Sequence, residues 1–208
     1  MDVDRLGQTS AAAPIPSTQT APSAANGLPI MQSAWPHAAR NLLPRREERA
    51  VSPEAQRLIA TFRLQSHPEG GWYRETYRSA ERVTTERGAV RSATTSIYFL
   101  LTSEAFSAFH RIASDETWHF YRGDPVTLEL IEPSGRHQRR VVGEGDVLQT
   151  TIPGGVHFAA HVDAPEGYAL VGCDVAPGFE FADFHLTTRS MLIAAYPQFA
   201  PLIARYTR

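Results

Sequence analysis

FHRIASDETWHFYRG, residues 109–123, places two His, one Glu and one Trp side chain inside a pattern typical of short β-strands. Residues 153–157, PGGVH, open a second such strand with a Pro/Gly turn. Polar groups that point into a fold destabilise it unless they find partners. This density of polar groups therefore predicts a small β-barrel whose interior is a pocket rather than a sealed core.

Runs with period-two alternation continue from Gly70 to about Thr187 and are separated by turn signals such as PSG at 133–135. About ten strands joined by tight hairpins predict an all-β antiparallel barrel or jelly roll. The runs predicted as strands are residues 71–79, 92–102, 107–112, 116–123, 126–133, 137–143, 147–153, 156–162, 168–175 and 179–186.

Short helices are predicted on both sides of the strands. Ser52 is suited to a helix N-cap and Pro53 to the first helical position, and an amphipathic helix follows that ends before His67. Residues 190–206 carry apolar side chains at helical spacing, interrupted by two prolines. One or two short helices there are expected to cover the edge of the barrel.

The N-terminal segment differs in composition from the rest of the chain. Residues 1–50 are rich in Ala, Pro, Ser and Thr, which predicts a disordered tail before a single domain at 51–208. The formal net charge of −2 gives no indication of a nucleic-acid or membrane-surface partner. No apolar run is long enough for a membrane span and no secretory signal is evident, so we expect a cytoplasmic protein with one cysteine, Cys173, and no internal disulfide.

The strand at 116–122 is the first candidate for chemistry. Alternation places Glu116, Trp118 and Phe120 on one face and Thr117, His119 and Tyr121 on the other. If Glu116 points inward, its apolar neighbours raise the pKa of the carboxyl and prepare it for general acid–base chemistry. If the other face points inward, His119 and Tyr121 are hydrogen-bonded core groups. Local pattern alone favours neither.

Several segments resemble the fifth cupin family (Cupin_5), a group of RmlC-like jelly-roll proteins of largely unassigned function. Glu116 and Gly123, with His110 ahead of them, match the first cupin motif, and Gly145 with the 153–155 turn matches the second. The resemblance covers residues from about 52 to 206. It implies a cupin jelly roll, or double-stranded β-helix, and an inward Glu116. The segments that carry it are HPEGGWYRETYRS (67–79), SIYFLL (96–101), FHRIASDETWHFYRGDP (109–125), IPGGVHFAAHV (152–162) and LVGCDVAPGFEFADFHL (170–186).

A divalent metal site, for iron, zinc, nickel or manganese, is one possibility that the resemblance raises. His110 and Glu116 match two ligands of metal-binding cupins, but the second histidine of the first motif falls on Ile112. The second-motif position falls on Phe158, with His157 one residue early. Because a one-residue offset reverses the face of a strand, a site formed by His110, Glu116 and His157 requires a bulge near Gly155.

A metal-free pocket is the alternative that the residues favour. Its predicted catalytic groups are His110, Glu116, His119 and Tyr121, because RmlC-like epimerases exchange protons through a histidine and a tyrosine. The turn at 67–72, HPEGGW, is expected to form a pocket lip at which Glu69, Trp72 and Arg74 touch ligand. The predicted ligand-binding residues are Trp72, Tyr73, Arg74, Tyr98, Trp118, Phe120, Gln149 and Phe158.

Three functions remain open at this level. The first is an isomerase- or epimerase-like enzyme that acts on a small polar or sugar-like metabolite. The second is a metal-dependent oxygenase or lyase, and the third is a non-catalytic metabolite-binding module. In all three the partner is a small molecule, and paired strand edges lead us to expect a homodimer.

Removal of residues 1–45 tests the predicted tail. We expect the melting temperature of the truncated chain to stay within roughly 2 °C of that of the full chain, because a disordered segment contributes no packed surface. Differential scanning calorimetry of both proteins measures this. A drop of many degrees would contradict the prediction.

Overall fold

A computed structural model describes residues 51–208, so the predicted tail at 1–50 lies outside the described residues. The described chain forms two facing antiparallel sheets, a separate two-stranded sheet of residues 82–84 and 90–92, and short helices at both ends. The predicted all-β jelly roll is therefore confirmed. The helices are α1 (Pro53–Phe62), α2 (Arg189–Ala195) and α3 (Ala200–Arg205). The strands are β1 (Gln65–Ser66), β2 (Trp72–Arg78), β3 (Arg82–Thr84), β4 (Val90–Ser92), β5 (Thr95–Thr102), β6 (Ser107–Ile112), β7 (Asp115–Gly123), β8 (Val126–Ile131), β9 (His137–Val142), β10 (Gln149–Ile152), β11 (His157–Val162), β12 (Tyr168–Ala176) and β13 (Phe184–Leu186).

One sheet has six strands in the order β1-β2-β5-β12-β7-β10, and its register decides which side chains face inward. Cys173 lies opposite Trp118 on one side and Ile97 on the other, and Val175 lies opposite Glu116. Trp118 and Cys173 are each 1% exposed. Because alternate residues share a face, Glu116 lies on this buried inner face, as the cupin resemblance implies.

The other sheet has five strands in the order β13-β6-β11-β8-β9. His110 on β6 lies opposite Phe158 on β11, and both face the interior between the sheets. The residues next to them on the strands face outward, where Phe109 packs in a cluster with Leu192 and Ile203. The C-terminal helices therefore cover the outer face of this sheet rather than the edge of the barrel.

Helix α1 begins as the sequence predicts. The side chain of Ser52 accepts a hydrogen bond from the backbone N–H of Ala55, and Pro53 is the first helical residue. The helix packs its Leu58 against Leu100 and Leu170 on the outer face of the six-stranded sheet. Among residues 51–208, no helix is long and apolar enough to cross a membrane.

The predicted strand at 179–186 is wrong over most of its length. Residues 181–183 form a 3₁₀ turn, and strand pairing begins only at Phe184. The alternation of Phe179, Phe181 and Asp183 suggests a strand, but this segment carries the chain from one sheet to the other and has no neighbouring strand until it reaches β6. The short strands β1, β3 and β4 escaped the sequence prediction because they are two or three residues long.

Leu58→Ala tests whether α1 is part of the folded core. We expect the substitution to lower the free energy of unfolding by about 2–5 kcal/mol, because it leaves a cavity against the outer face of the sheet. Urea unfolding measures the effect. Arg57→Ala on the exposed face of the same helix is the control and should change the free energy of unfolding by about 0.5 kcal/mol or less.

Candidate functional site

Four polar side chains meet inside the barrel although they come from different parts of the chain. Glu69 lies in the turn before β2, Ser107 and His110 lie on β6, and Glu116 lies on β7. All four are buried, with exposed fractions of 0–8%. This group, Glu69, Ser107, His110 and Glu116, is called the interior acid–base group below.

The turn at 67–71 positions Glu69. Gly70 and Gly71 adopt φ values of 116° and 69°, which side chains other than glycine rarely tolerate. A Cβ atom at Gly70 would meet the Phe106 carbonyl oxygen at 2.1 Å, so a larger residue does not fit there. The backbone carbonyl of Glu69 accepts a hydrogen bond from the N–H of Ala108, which joins the turn to β6.

Hydrogen bonds define the roles of Glu69 and His110. Ser107 Oγ donates to Glu69 Oε1 at 2.8 Å, and Glu69 Oε2 lies 3.3 Å from His110 Nε2. His110 Nδ1 lies 2.8 Å from the carbonyl oxygen of Ala108. Because a carbonyl only accepts, His110 carries its proton on Nδ1 and presents the Nε2 lone pair to Glu69. A second histidine, His67, places its Nδ1 3.4 Å from the same carboxyl oxygen.

Burial shifts the pKa values of the two carboxyls, Glu69 and Glu116, and of the two histidines, His110 and His67. It raises the pKa of Glu69 to about 8, against smaller lowering effects of the Ser107 hydrogen bond and the Arg208 charge. Burial, followed by the charge of Glu69, raises the pKa of Glu116 to about 7. Burial lowers the pKa of His110 and lowers that of His67 to about 3. At neutral pH both histidines are therefore uncharged, Glu69 keeps its proton and Glu116 is close to half-ionised.

Aromatic and sulfur groups surround the interior acid–base group. The His110 ring contacts Phe158 at a centroid distance of 4.1 Å, and Phe158 contacts Trp118 at 6.2 Å. The indole Nε1 of Trp118 is buried without a hydrogen-bond partner. The Cys173 thiol and this indole both lie near enough to Glu116 to favour its ionised form. A buried N–H donor beside a carboxyl is suited to bind a polar group of a ligand.

The structure places some of the predicted site residues together in the interior. His110, Glu116, Tyr73, Trp118 and Phe158 are all buried there, with exposed fractions of 8% or less. Phe120 also shares the inner face of β7, but its ring packs against Gly143. Of the predicted site residues, these are the ones that the structure brings together between the two sheets.

Six predicted residues lie on the outer face of the six-stranded sheet instead. His119 Nε2 lies 3.0 Å from Asp174 Oδ2, and the Tyr121 ring lies over Gly172 with 52% of its surface exposed. The structure therefore corrects their predicted catalytic role, because strand alternation directs them away from Glu116. The structure also places four predicted ligand-binding residues away from the interior. Trp72 lies opposite Leu100, Arg74 opposite Tyr98, and Gln149 opposite His119, all on that outer face.

The predicted metal ligands are not brought together. Phe158 shares the inner face with His110, so its neighbour His157 faces outward, where Nδ1 lies 3.0 Å from Thr187 Oγ1. The glycines at 154–155 form the turn before β11 and do not reverse this face. Within residues 51–208, no three His, Cys, Asp or Glu side chains are arranged to hold a metal ion. The His110, Glu116 and His157 set therefore does not fit a metal.

Glu69, Ser107 and His67 are functional candidates that the sequence prediction did not assign to catalysis. The sequence placed Glu69 at a pocket lip, whereas the structure buries it in the interior with 6% exposure. The only local signal was a charged residue directly before two glycines in HPEGG. Nothing in the sequence connects this turn with β6, which lies about forty residues later.

Residues 56–187 match the model of the Cupin_5 family, which is described as cupin superfamily (DUF985). The chain belongs to this family. Cupin_5 relatives include the uncharacterized protein YML079W of Saccharomyces cerevisiae, which is 31% identical over 146 residues, or 62% of this chain and 72% of the yeast protein. A hypothetical protein from Leishmania major has a similar solved structure, with a TM-score of 0.70, 40% identity, and coverage of 74% of this chain and 98% of that one. The solved structure of protein SO0799 from Shewanella oneidensis is also similar, with a TM-score of 0.68 and 36% identity. The match covers 74% of this chain and 97% of that one.

The interior carboxyls of this Cupin_5 protein predict a stability that falls as the pH rises above neutrality. The pKa of Glu69 is about 8 in the folded state and 4.5 when unperturbed, so its proton stabilises the fold at low pH and this contribution is lost as the pH rises through 8. Glu116 acts in the same direction up to about pH 7. Histidines with lowered pKa values oppose this effect only below about pH 6.5.

We therefore expect the melting temperature of the wild-type protein to fall between pH 6.5 and pH 8.5. Glu69→Gln, which cannot ionise, should remove most of this fall, whereas Glu132→Gln on the surface should leave it unchanged. Thermal unfolding followed by circular dichroism across this range measures the effect. An equal slope in wild type and Glu69→Gln would show that Glu69 is ionised in the folded protein.

Proposed function

We propose that this Cupin_5 protein is an enzyme that moves protons within a small, uncharged polar molecule, by isomerisation or epimerisation next to a carbonyl group. The observation that carries this proposal is the buried contact between Glu69 and His110 beside the second buried carboxyl, Glu116. Proton transfer at carbon needs a base and an acid whose pKa values lie near the working pH.

The pKa values of Glu116 and Glu69 give the two carboxyls different roles. Glu116, with a pKa of about 7, is the base that takes a proton from the carbon next to the carbonyl. Glu69, with a pKa of about 8, is the acid that donates a proton to the substrate carbon, and His110 Nε2 lies 3.3 Å from its Oε2. The substrate loses one proton and gains one, so the reaction needs no other reactant. Because burial raises the pKa values of both carboxyls to near neutrality, each can gain or lose a proton at neutral pH.

The surroundings support a neutral substrate of modest size. Tyr73, Phe99, Trp118 and Phe158 supply apolar walls, and the Trp118 indole supplies a donor. Such a combination of apolar walls and few polar groups is typical of small-ligand sites. A sugar-like carbonyl compound fits these walls and this donor, whereas an acidic substrate would add a negative charge next to two carboxyls.

A non-catalytic metabolite-binding role would use the same interior. It differs in one respect, because binding needs only matched hydrogen bonds and does not need carboxyls with raised pKa values. The metal-dependent alternative has no support in the described residues, because His157 lies on the opposite face of β11 from His110.

Exchange of substrate hydrogen for deuterium tests the proposal. Wild-type protein is incubated in D₂O with neutral sugars and hydroxy-carbonyl compounds, and NMR follows loss of the C–H signal next to the carbonyl. We expect Glu116→Gln and Glu69→Gln to slow exchange by roughly 10²–10⁴-fold, because each removes a proton carrier.

Glu132→Gln, a surface carboxyl paired with Arg136, is the matched control and should exchange at the wild-type rate. Equal exchange rates in wild type, Glu69→Gln and Glu116→Gln would contradict the proposed roles. Thermal stabilisation by a compound that the wild-type protein never deuterates would instead favour the binding module.

A further inference from the structure

A connection between the two sheets crosses the barrel next to the interior acid–base group. Residues 177–186 leave β12 of the six-stranded sheet and reach β6 of the five-stranded sheet, where the last three residues pair as β13. This segment, called the strap, carries three phenylalanines, at 179, 181 and 184. Their rings contact one another at centroid distances of 4.9–6.2 Å and form one aromatic layer.

The strap lies directly over the histidines of the interior. Phe184 contacts the ring of His110 at 5.4 Å and the ring of His67 at 5.8 Å, and Phe181 contacts His67 at 6.3 Å. On its other side His67 meets Tyr73 at 4.7 Å. His67 therefore lies between the strap and the wall of the barrel, close to the Glu69 carboxyl.

Ion pairs fasten the strap to strands outside it. Arg91 on β4 pairs with Asp183 through two contacts of 2.7 and 2.9 Å. Arg78 on β2 pairs with Glu180 at 2.8 Å and also donates to the carbonyl oxygen of Phe179 at 3.2 Å. Pairs that are partly exposed hold a segment more weakly than core packing does. Phe181 keeps 43% of its surface exposed, so its ring is only partly buried in the core.

We infer that the strap is a gate that opens to admit small molecules to the barrel interior. In this structure His110, Glu69 and Glu116 have exposed fractions of only 2%, 6% and 8%, so a solute reaches them only after a covering segment moves. The strap joins the two sheets at this covering position. Hydrogen bonds of the strap backbone fix its ends, from Gly178 to Ser92, from Phe179 to the Thr95 hydroxyl and from β13 to β6, and the Arg91–Asp183 and Arg78–Glu180 pairs hold the residues between them. Such segments commonly control access to enclosed sites. The inference concerns access alone and does not depend on the proposed reaction.

Cys173 provides a built-in reporter of opening. It is the one cysteine of the 208-residue chain, it is 1% exposed, and its thiol lies beside Glu116. A thiol reagent such as 5,5′-dithiobis(2-nitrobenzoate) reacts with it only when the interior is open. The rate of modification of the folded full-length protein therefore measures the frequency of opening.

Three strap variants weaken different contacts. Asp183→Asn breaks the pair with Arg91, Glu180→Gln breaks the pair with Arg78, and Phe181→Ala removes the ring over His67. We expect each to raise the modification rate of Cys173 by roughly two- to fivefold relative to wild type. Glu132→Gln, which breaks the Arg136 pair in the turn between β8 and β9, is the matched control and should react at the wild-type rate.

Low concentrations of urea separate gate opening from global unfolding. Opening of a short segment exposes little surface, so the modification rate should change little with urea below the unfolding transition. Rates that rise steeply with urea in every variant, in proportion to the loss of global stability, would overturn the inference. Equal rates in wild type, the three strap variants and Glu132→Gln would overturn it as well.

Discussion

The unfavourable burial of two carboxyl groups is the constraint on which the interior of this protein depends. Glu69 and Glu116 enter a space between two sheets in which charged forms are poorly solvated, and both respond by holding their protons at higher pH. The nearby histidines respond in the opposite sense and stay neutral. The interior therefore avoids net charge, and its hydrogen bonds are formed between groups that can each give up or accept a proton.

A third buried glutamate shows that burial alone does not produce this state. Glu129 on β8 is as buried as Glu69, at 6% exposure, but it faces outward beneath the C-terminal helices. Its carboxyl lies 2.7 Å from His137 Nε2, and hydrogen bonds from His161 and His137 outweigh burial and lower its pKa. Glu129 is therefore an ionised structural partner. Glu69 also has two histidines within 3.4 Å, but burial lowers the pKa values of both, so they do not offset the burial of its carboxyl. This difference is why the proposed chemistry is assigned to the interior face.

Membership in Cupin_5 fixes the architecture but leaves the reaction to be argued from the site. One jelly-roll scaffold can host many activities, because activity depends on the few side chains that the strands direct inward. Here those side chains include a carboxyl from the 67–71 turn, a histidine from β6 and a carboxyl from β7, enclosed by the strap. His157, one residue before the second-motif position, does not complete a ligand set, because its side chain points to the other face. The acid–base chemistry that we propose rests on the remaining groups.

The sequence by itself determined most of the strands, the Ser52 cap of α1 and the C-terminal helices, because alternation, turn residues and capping are local signals. It also identified His110 and Glu116 through the spacing of the first cupin motif. The same resemblance implied the inward face of Glu116, but tertiary structure alone decided which face of β11 is buried, and so separated Phe158 from His157. It also brought Glu69 to His110 and laid residues 177–186 over them. These arrangements join positions tens of residues apart, and strand periodicity carries no information about such distant pairing.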